Sequence, residues 1–451
     1  MRNDDTIVAV ATPAGVGGIA VLRLSGHDAL AIALHHLRPA NPDASRPFSL
    51  APRRATYCRF DDLDDLVAVY FPVGYTGQPT VELSCHGSHY VQQALLQALI
   101  DSGARLAERG EFTMWAFLNG RLDLSQAEAV ADLIDAVTPA QHRLAVSQLR
   151  GGYAEQLKTL RSQLVDLTAL LELELDFSQE DVQFADRTQL RQLLSTLIAR
   201  LSTLISSFSA GNALKQGIPV AIVGRPNAGK SSLLNALLAD DRAIVSPLPG
   251  TTRDTVEELL TIDGLSFRFI DTAGLRSTLD PVEALGVQRS RKAAAQARII
   301  LYVHDATTPW ADPDLDLDPA TQRLIVVLNK SDLTPHCPLP TTHCQLSTAN
   351  SPLPLSSLTG AGLDDLRRAL VDAAGNPADT DILLSNPRHR DALLRVQQAL
   401  SAALQGLDDG LPADLLAVDL RDALYHLGTI TGQVASSEVL DSVFSRFCIG
   451  K

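Results

Sequence analysis

Apolar residues follow several rhythms along the chain. Up to about residue 118 they come in short runs. Thr6-Ile-Val-Ala-Val10, Ala20-Val-Leu-Arg-Leu24 and Leu66-Val-Ala-Val-Tyr-Phe71 predict strands, the first two joined by the glycine-rich turn Gly15-Val-Gly17-Gly18. Tyr90 to Ile100 has helical spacing. From about Leu122 to Leu214 the apolar residues recur every three or four positions, through Leu157, Leu160, Leu164, Leu167, Leu170 and Leu171 and again from Leu190 to Phe208. Long helices packed on each other account for this, with Ser125-Gln-Ala-Glu128 as a capping box and the acidic stretch Asp176–Asp181 as a break. From Gly217 to about Ala374, short apolar strands at 220–223, 267–270, 299–303 and 324–328 alternate with helical stretches. That order predicts a parallel sheet with crossover helices. Helical periodicity then returns to the end. The expected architecture is α/β and α multidomain, with an α/β domain at 1–118, a helical domain split into 119–213 and 376–451, and a Ras-like P-loop α/β domain inserted at 214–375.

At roughly 150 residues per domain, 451 residues suggest about three domains. Hydrophobic residues at 45% are enough to build cores, which excludes wholesale disorder. With 52 acidic against 38 basic residues the net charge is −14, which argues against a protein that coats nucleic acid but not against a local basic patch. The start has no signal-peptide pattern, and no stretch reaches the ~18 uninterrupted apolar residues of a bilayer span. Cys58, Cys85, Cys337, Cys344 and Cys448 are sparse and odd in number, without Cys-x-x-Cys. A reduced, cytoplasmic protein with no membrane partner is expected. His336-Cys337 with His343-Cys344 could bind zinc, but the Pro-rich context and the spacing favour a solvated loop.

Gly224-Arg-Pro-Asn-Ala-Gly229-Lys230-Ser231 matches G-x-x-x-x-G-K-[ST] between a predicted strand and a predicted helix. Backbone N–H groups of Asn227, Ala228, Gly229 and the helix start, through Ser232, can cradle phosphate oxygens. Lys230 would neutralise β/γ charge and Ser231 would ligate Mg²⁺. Asp271-Thr272-Ala273-Gly274 follows a strand, as suits an acid near Mg²⁺ and a glycine N–H at the γ-phosphate. In Gly250-Thr251-Thr252-Arg253-Asp254, Thr252 fits the threonine that completes Mg²⁺ coordination. In Asn329-Lys330-Ser331-Asp332, Asp332 can accept from guanine N1–H and the exocyclic amine, a pattern adenine lacks, while Lys330 lies over the base. Ser356-Ser357-Leu358 would supply the loop near guanine O6. GTP is expected over ATP. Leu275 stands where many small GTPases carry a water-orienting glutamine, so another group must orient the water or the chain hydrolyses GTP poorly.

These residues resemble the MnmE (TrmE) family of tRNA modification GTPases along essentially the whole chain. The resemblance is carried by Asp5-Thr-Ile-Val-Ala with Ala11-Thr-Pro, Arg109-Gly-Glu-Phe112, Ala116-Phe-Leu-Asn119, Leu122–Ala129, the nucleotide motifs and the ending Phe447-Cys-Ile-Gly-Lys451. It implies a homodimer working with the FAD-dependent MnmG to install a carboxymethylaminomethyl-type group on C5 of the wobble uridine (U34) of certain tRNAs. It implies K⁺ activation, with Asn227, Ser246, Leu248 and Thr251 as contributors and 246–249 beside the nucleotide; Pro247 and Pro249 are a mild departure in that loop. Glu283 matches the family's water-orienting glutamate. The first 118 residues resemble a dimerising tetrahydrofolate-binding domain, with Arg23, Glu82, Arg121 and Lys451 as contacts to a 5-formyl- or methylene-tetrahydrofolate. Arg121 stands where the family often has Lys. Cys448 is placed near that pocket, with a thiol role of binding, nucleophile or packing left open. Its Cys-Ile-Gly-Lys ending has the outline of a prenylation box but the wrong last residue. A regulatory or ribosome-associated GTPase switch and a stand-alone folate enzyme are the alternatives. The N-terminal block speaks against the first and the GTP motifs against the second.

Overall fold

The computed structural model describes residues 5–41, 48–176, 187–239, 258–270, 291–310, 312, 315, 317–318, 321–334, 352–375, 383–445 and 447–450. By backbone contacts it divides into two units. The first comprises residues 1–135, 148–185 and 406–451, and the second residues 136–147 and 186–405.

In the first unit the strands are β1 (Ile7–Val10), β2 (Ile19–Ser25), β3 (Leu37–Pro39), β4 (Thr56–Phe60), β5 (Asp64–Phe71), β6 (Thr80–His86) and β7 (Arg105–Leu106). They form one sheet in the order β3-β4-β5-β6-β2-β1-β7, antiparallel except for the β1–β7 pair. Successive side chains of a strand point to opposite faces, and β1 is buried on both. Val8 joins the core under helices α1 (Ala29–His36) and α2 (His89–Asp101). Ile7 and Ala9 join a second core with Phe112, Trp115, Leu124 and Phe444, built by α3 (Glu111–Leu118), α4 (Leu124–Asp135) and a C-terminal helix at Ser437–Phe444. That two-sided burial explains why its four residues are all apolar.

The cap of α4 differs from the expected Ser125–Glu128 box. Asp123 is the cap: its Oδ1 accepts from Gln126 N at 2.8 Å, while Gln126 Oε1 accepts from Asp123 N at 2.9 Å. The reciprocal pair is the same device two residues earlier. Ser125, fully buried in the first turn, donates its hydroxyl to Asp123 at 2.6 Å.

The next helices in chain order are α5 (Pro139–Leu149), α6 (Ala154–Asp176), α7 (Arg187–Ser206), α8 (Phe208–Gln216), α9 (Lys230–Leu238), α10 (Leu363–Ala374), α11 (Pro387–Asp408) and α12 (Ala413–Thr431), with α13 the helix at Ser437–Phe444. In the first unit α6 buries Leu157, Leu160, Leu164, Leu167 and Leu171 along the stripe that packs with α12. In the second unit α7 buries Leu190, Leu194, Leu197, Leu201 and Leu204. Among the described residues, the stretch Arg187–Gln216 is the one helix long and apolar enough to span a bilayer on composition alone. Its buried leucine stripe is that of an amphipathic helix packed on one face.

The second unit holds β8 (Ile218–Val223), β9 (Glu258–Ile262), β10 (Leu265–Ile270), β11 (Ile299–Asp305), β12 (Arg323–Asn329) and β13 (Leu353–Pro354). Their order is β13-β12-β11-β8-β10-β9, all parallel except the β9–β10 hairpin. Asp263 and Gly264, both at positive φ, make its two-residue turn. Val220, Ile222, Leu301 and Val303 face the core that includes α9 and α10; Ala221, Val223, Ile300 and Tyr302 face the opposite core. Burial on both faces is why these strands read as unbroken apolar runs. β8 has β10 on one side and β11 on the other, so its carboxyl end is the topological switch point at which ligands bind in open α/β sheets.

Candidate functional site

The loop after β8 closes on two glycines. Gly224 has φ +152°, and a Cβ there would lie 2.2 Å from the carbonyl oxygen of Val303. Gly229 has φ +91°, and its Cβ would lie 2.1 Å from Nδ2 of Asn329. Between them Asn227 is left-handed at φ +63°, and Ala228 N donates back to Arg225 O at 3.3 Å. The loop therefore curls around its own backbone and delivers the N-terminus of α9, an anion-binding end of a helix. Lys230 Nζ donates to the carbonyls of Gly224 and Arg225 at 2.9 and 2.8 Å, spanning the curl. Burial holds the Lys230 ammonium below the usual lysine range. A phosphate would restore the charge that burial disfavours. Ser231 sits half-buried in the first turn of α9, and Ser232 is exposed.

The segment after β12 joins this loop. Buried Asn329 donates from Nδ2 to Ala228 O at 2.9 Å and accepts at Oδ1 from Ser357 N at 3.0 Å and Ser357 Oγ at 2.9 Å. One amide thus ties together three pieces that the sequence separates widely. Buried Ser356 accepts from Thr359 N at Oγ, and its own N–H donates to Ala361 O at 2.9 Å. That shapes a tight turn from which Leu358 points out, 88% exposed. Lys330 is left-handed at φ +64°, its Nζ paired with Asp305 Oδ2 at 2.5 Å; Asp332 is exposed beside it. Burial works against ionisation of Asp305, but hydrogen bonds from Lys330 and Thr307 outweigh it, so its carboxyl titrates below the usual range. Asp305 belongs to the site and no motif marked it. Its sequence signal is an acid at the carboxyl end of a strand that is apolar as far as Val303, the end of the sheet at which ligands bind in such folds.

Ser246, Pro247, Leu248, Pro249, Gly250, Thr251, Thr252, Asp271, Thr272, Ala273, Gly274, Glu283 and Lys451 lie outside the described residues. So do His336, Cys337, His343 and Cys344. Among the described residues, no group of three or more His, Cys, Asp or Glu side chains is arranged to hold a metal.

The first unit gathers the other expected residues. Arg23 and Glu82 are cross-strand partners on β2 and β6, bonded through Nε and a second nitrogen to Oε1 at 2.8 Å. The Arg23 guanidinium lies 5.9 Å from the ring centre of Tyr75 and 5.8 Å from that of Phe112, two aromatic walls not anticipated as part of the site. Tyr75 donates to or accepts from Thr113 Oγ1 at 3.0 Å. Arg121 is exposed, its stem passing close over Gly77, two residues beyond Tyr75. The tail comes to the same sheet: Cys448 O accepts from Gly110 N at 3.4 Å, Ile449 bridges to Arg109, and Gly450 packs on Val10 O. Cys448 is exposed, whereas Cys58 and Cys85 are buried and held as thiols, burial pushing both up to about 11.

Residues 6–121 match the family model described as the N-terminus of the GTP-binding protein TrmE, and residues 124–448 match that of the MnmE helical domain. The chain is 44% identical over 460 residues to the tRNA modification GTPase MnmE of Parabacteroides distasonis, covering 99% of this chain and 100% of that one. With the MnmE of Porphyromonas gingivalis it shares 46% over 470 residues, covering 100% and 98%. With that of Flavobacterium johnsoniae it shares 43% over 466 residues, covering 100% of both. Among solved structures, the G domain of the T. maritima FeoB iron transporter covers 35% of this chain and 98% of its own at 23% identity, with a TM-score of 0.24, too loose to bear on the fold. Matched from residue 6 to residue 448 by family models and end to end by its relatives, the chain belongs to the MnmE (TrmE) family of tRNA modification GTPases.

Proposed function

We propose that the chain hydrolyses GTP and, with a flavoprotein partner of the MnmG type, adds a carboxymethylaminomethyl-type group to C5 of the wobble uridine of certain tRNAs. The observation that supports the nucleotide half is the Asn329 amide, which binds the phosphate loop and the Ser357 turn into one crevice carrying Lys330 and Asp332. Guanine fits because the exposed Asp332 carboxylate is acceptor-only. The loop glycines leave no room for a Cβ, which suits close approach of backbone N–H groups to phosphate oxygens.

Ser231 and Asn227 carry the oxygen donors that hard cations take. Ser231 at the start of α9 would hold Mg²⁺ together with Thr252, and Asn227 would face K⁺ together with Ser246, Leu248 and Thr251. A monovalent cation there supplies positive charge beside the phosphates when bound, the part an arginine finger plays elsewhere. Lys230 neutralises phosphate charge, and Glu283 orients water in place of Leu275. Asp271–Gly274 senses the γ-phosphate.

We place a tetrahydrofolate one-carbon donor at Arg23, Glu82, Arg121 and Lys451. The Arg23–Glu82 pair offers both donor and acceptor groups beside the rings of Tyr75 and Phe112, which suits a flat, polar-edged heterocycle. We assign 1–118 to folate and dimerisation, 119–213 with 376–451 to the helical domain, and 214–375 to GTP. The working form is a homodimer in the cytoplasm, with no membrane partner. Tests of the nucleotide half compare GTP and ATP turnover by the full chain in K⁺ and in Na⁺. GTP hydrolysis with preference for K⁺ is the expected outcome. Equal turnover of ATP would overturn the base assignment, and equal rates in the two salts would overturn the cation assignment.

A further inference from the structure

Asp305 ends β11 and lies opposite Asn329 in the parallel register of β11 and β12. Its two carboxylate oxygens have separate duties. Oδ1 accepts from Thr307 N at 3.0 Å and from Thr307 Oγ1 at 2.6 Å, which fixes the carboxylate to the turn that follows the strand. Oδ2 accepts from Lys330 Nζ at 2.5 Å. The backbones of the two strands are joined here as well, Ala306 N donating to Asn329 O at 2.9 Å. Lys330 is fixed at its other end too. Its left-handed backbone is held by Leu333 N donating to Lys330 O at 3.0 Å, and Ser331 N donates to Leu355 O at 3.1 Å. A lysine pinned at both Cα and Nζ has its four-carbon stem stretched between two anchors.

We propose that Asp305 is a positioning residue for guanine recognition: by holding the Lys330 ammonium it presents the lysine stem as a fixed apolar surface to the face of the purine whose edge Asp332 reads. The proposal rests on the reading of this crevice as the GTP site. An unanchored lysine loses side-chain rotamer freedom when a base packs on it. A lysine already anchored has lost that freedom before the nucleotide arrives, so less of the binding free energy is spent on ordering. Asp305 also compensates the ammonium charge, so the stem rather than the charge meets the base.

The competing role for Asp305 is to cap its own turn. Oδ1 alone serves the turn, and the amide oxygen of an asparagine can accept the same two Thr307 bonds. Asp305→Asn therefore keeps the turn and removes the charged anchor, whereas Thr307→Ala loosens the turn and leaves the anchor. Calorimetric titration of the full chain with GDP, together with steady-state GTP kinetics, separates the two. Asp305→Asn should weaken GDP binding by about tenfold and raise KM for GTP in proportion, with kcat within about twofold of wild type. Thr307→Ala should change GDP affinity by less than about twofold. In a Lys330→Met background, adding Asp305→Asn should weaken binding no further, because the partner it acts through is gone. Wild-type affinity in Asp305→Asn overturns the proposal, as does an equal loss in Thr307→Ala, or additive losses in the double variant. Should Asp305→Asn melt below the assay temperature by circular dichroism, Asp305→Ser takes its place with the same expectations. Failure of the wild-type chain to bind GDP at all overturns the GTP reading itself, and that outcome is visible without any variant.

Discussion

Gly229 is a position in the nucleotide loop where a single methyl group cannot be added without displacing a neighbour. Its backbone is left-handed, and the space a Cβ needs is taken by the Asn329 amide that ties the crevice together. In Gly229→Ala the backbone strain alone is on the order of 1–3 kcal/mol, and the Asn329–Ala228 bond must break or the loop must open. GDP affinity should fall by more than about tenfold, with far-UV circular dichroism unchanged; titration of the full chain checks it, and wild-type affinity would contradict this account of the loop. At this scale the phosphate loop and the Asn329–Asp332 motif were legible because they are contiguous in sequence. Asp305 was not, because it meets Lys330 only through the parallel register of two strands. Tyr75 and Phe112 were hidden for a similar reason: they flank Arg23 from a loop and a helix that no motif joins.

Among the elements, the cap of α4 is a place where pattern and structure part by two residues. Asp123 Oδ1 accepts from the N–H of Gln126, and Gln126 Oε1 accepts from the backbone N–H of Asp123, so Asp123→Ala removes the side-chain half of the box and leaves the Gln126 N–H without that acceptor. It also leaves the buried Ser125 hydroxyl without the carboxylate it donates to. The cost should be about 1–2 kcal/mol, read as a lower urea midpoint for the full chain. Ser/Thr–x–x–Glu is the commoner form of the box, and the Asp–x–x–Gln form beside it is the one whose residues stand at the helix boundary. β8, β11 and β12, buried on both faces, were legible as apolar runs, and β2, β5 and β10 were legible from shorter apolar stretches although their burial alternates. β6 was passed over because only Val81, Leu83 and Cys85 turn inward, an alternation rather than a run. β3 and β7 are too short to carry a pattern, and β9 was passed over although the Asp263-Gly264 turn that follows it is a hairpin signal.

For the whole molecule, helical periodicity located the helices without saying which of them pack together. Spacing along one helix reports the width of its buried stripe, not the identity of its neighbour. So α6 and α12, far apart in sequence, belong to one unit, while α7, which follows α6, belongs to the other. The net charge of −14 had set the chain apart from proteins that coat nucleic acid. A tRNA enzyme remains compatible with that charge when the RNA contacts lie on a local patch or on the proposed flavoprotein partner, since binding follows local potential rather than the sum. The central claim is that GTP turnover at the Gly224–Ser231 loop drives wobble-uridine modification. It is tested most directly by mass spectrometry of tRNA nucleosides from a strain lacking this chain, complemented with the wild type or with Gly229→Ala. The account predicts that the modified uridine disappears on deletion, returns with the wild type and stays absent with the variant. Normal levels in the deletion strain, or full restoration by Gly229→Ala, would contradict it.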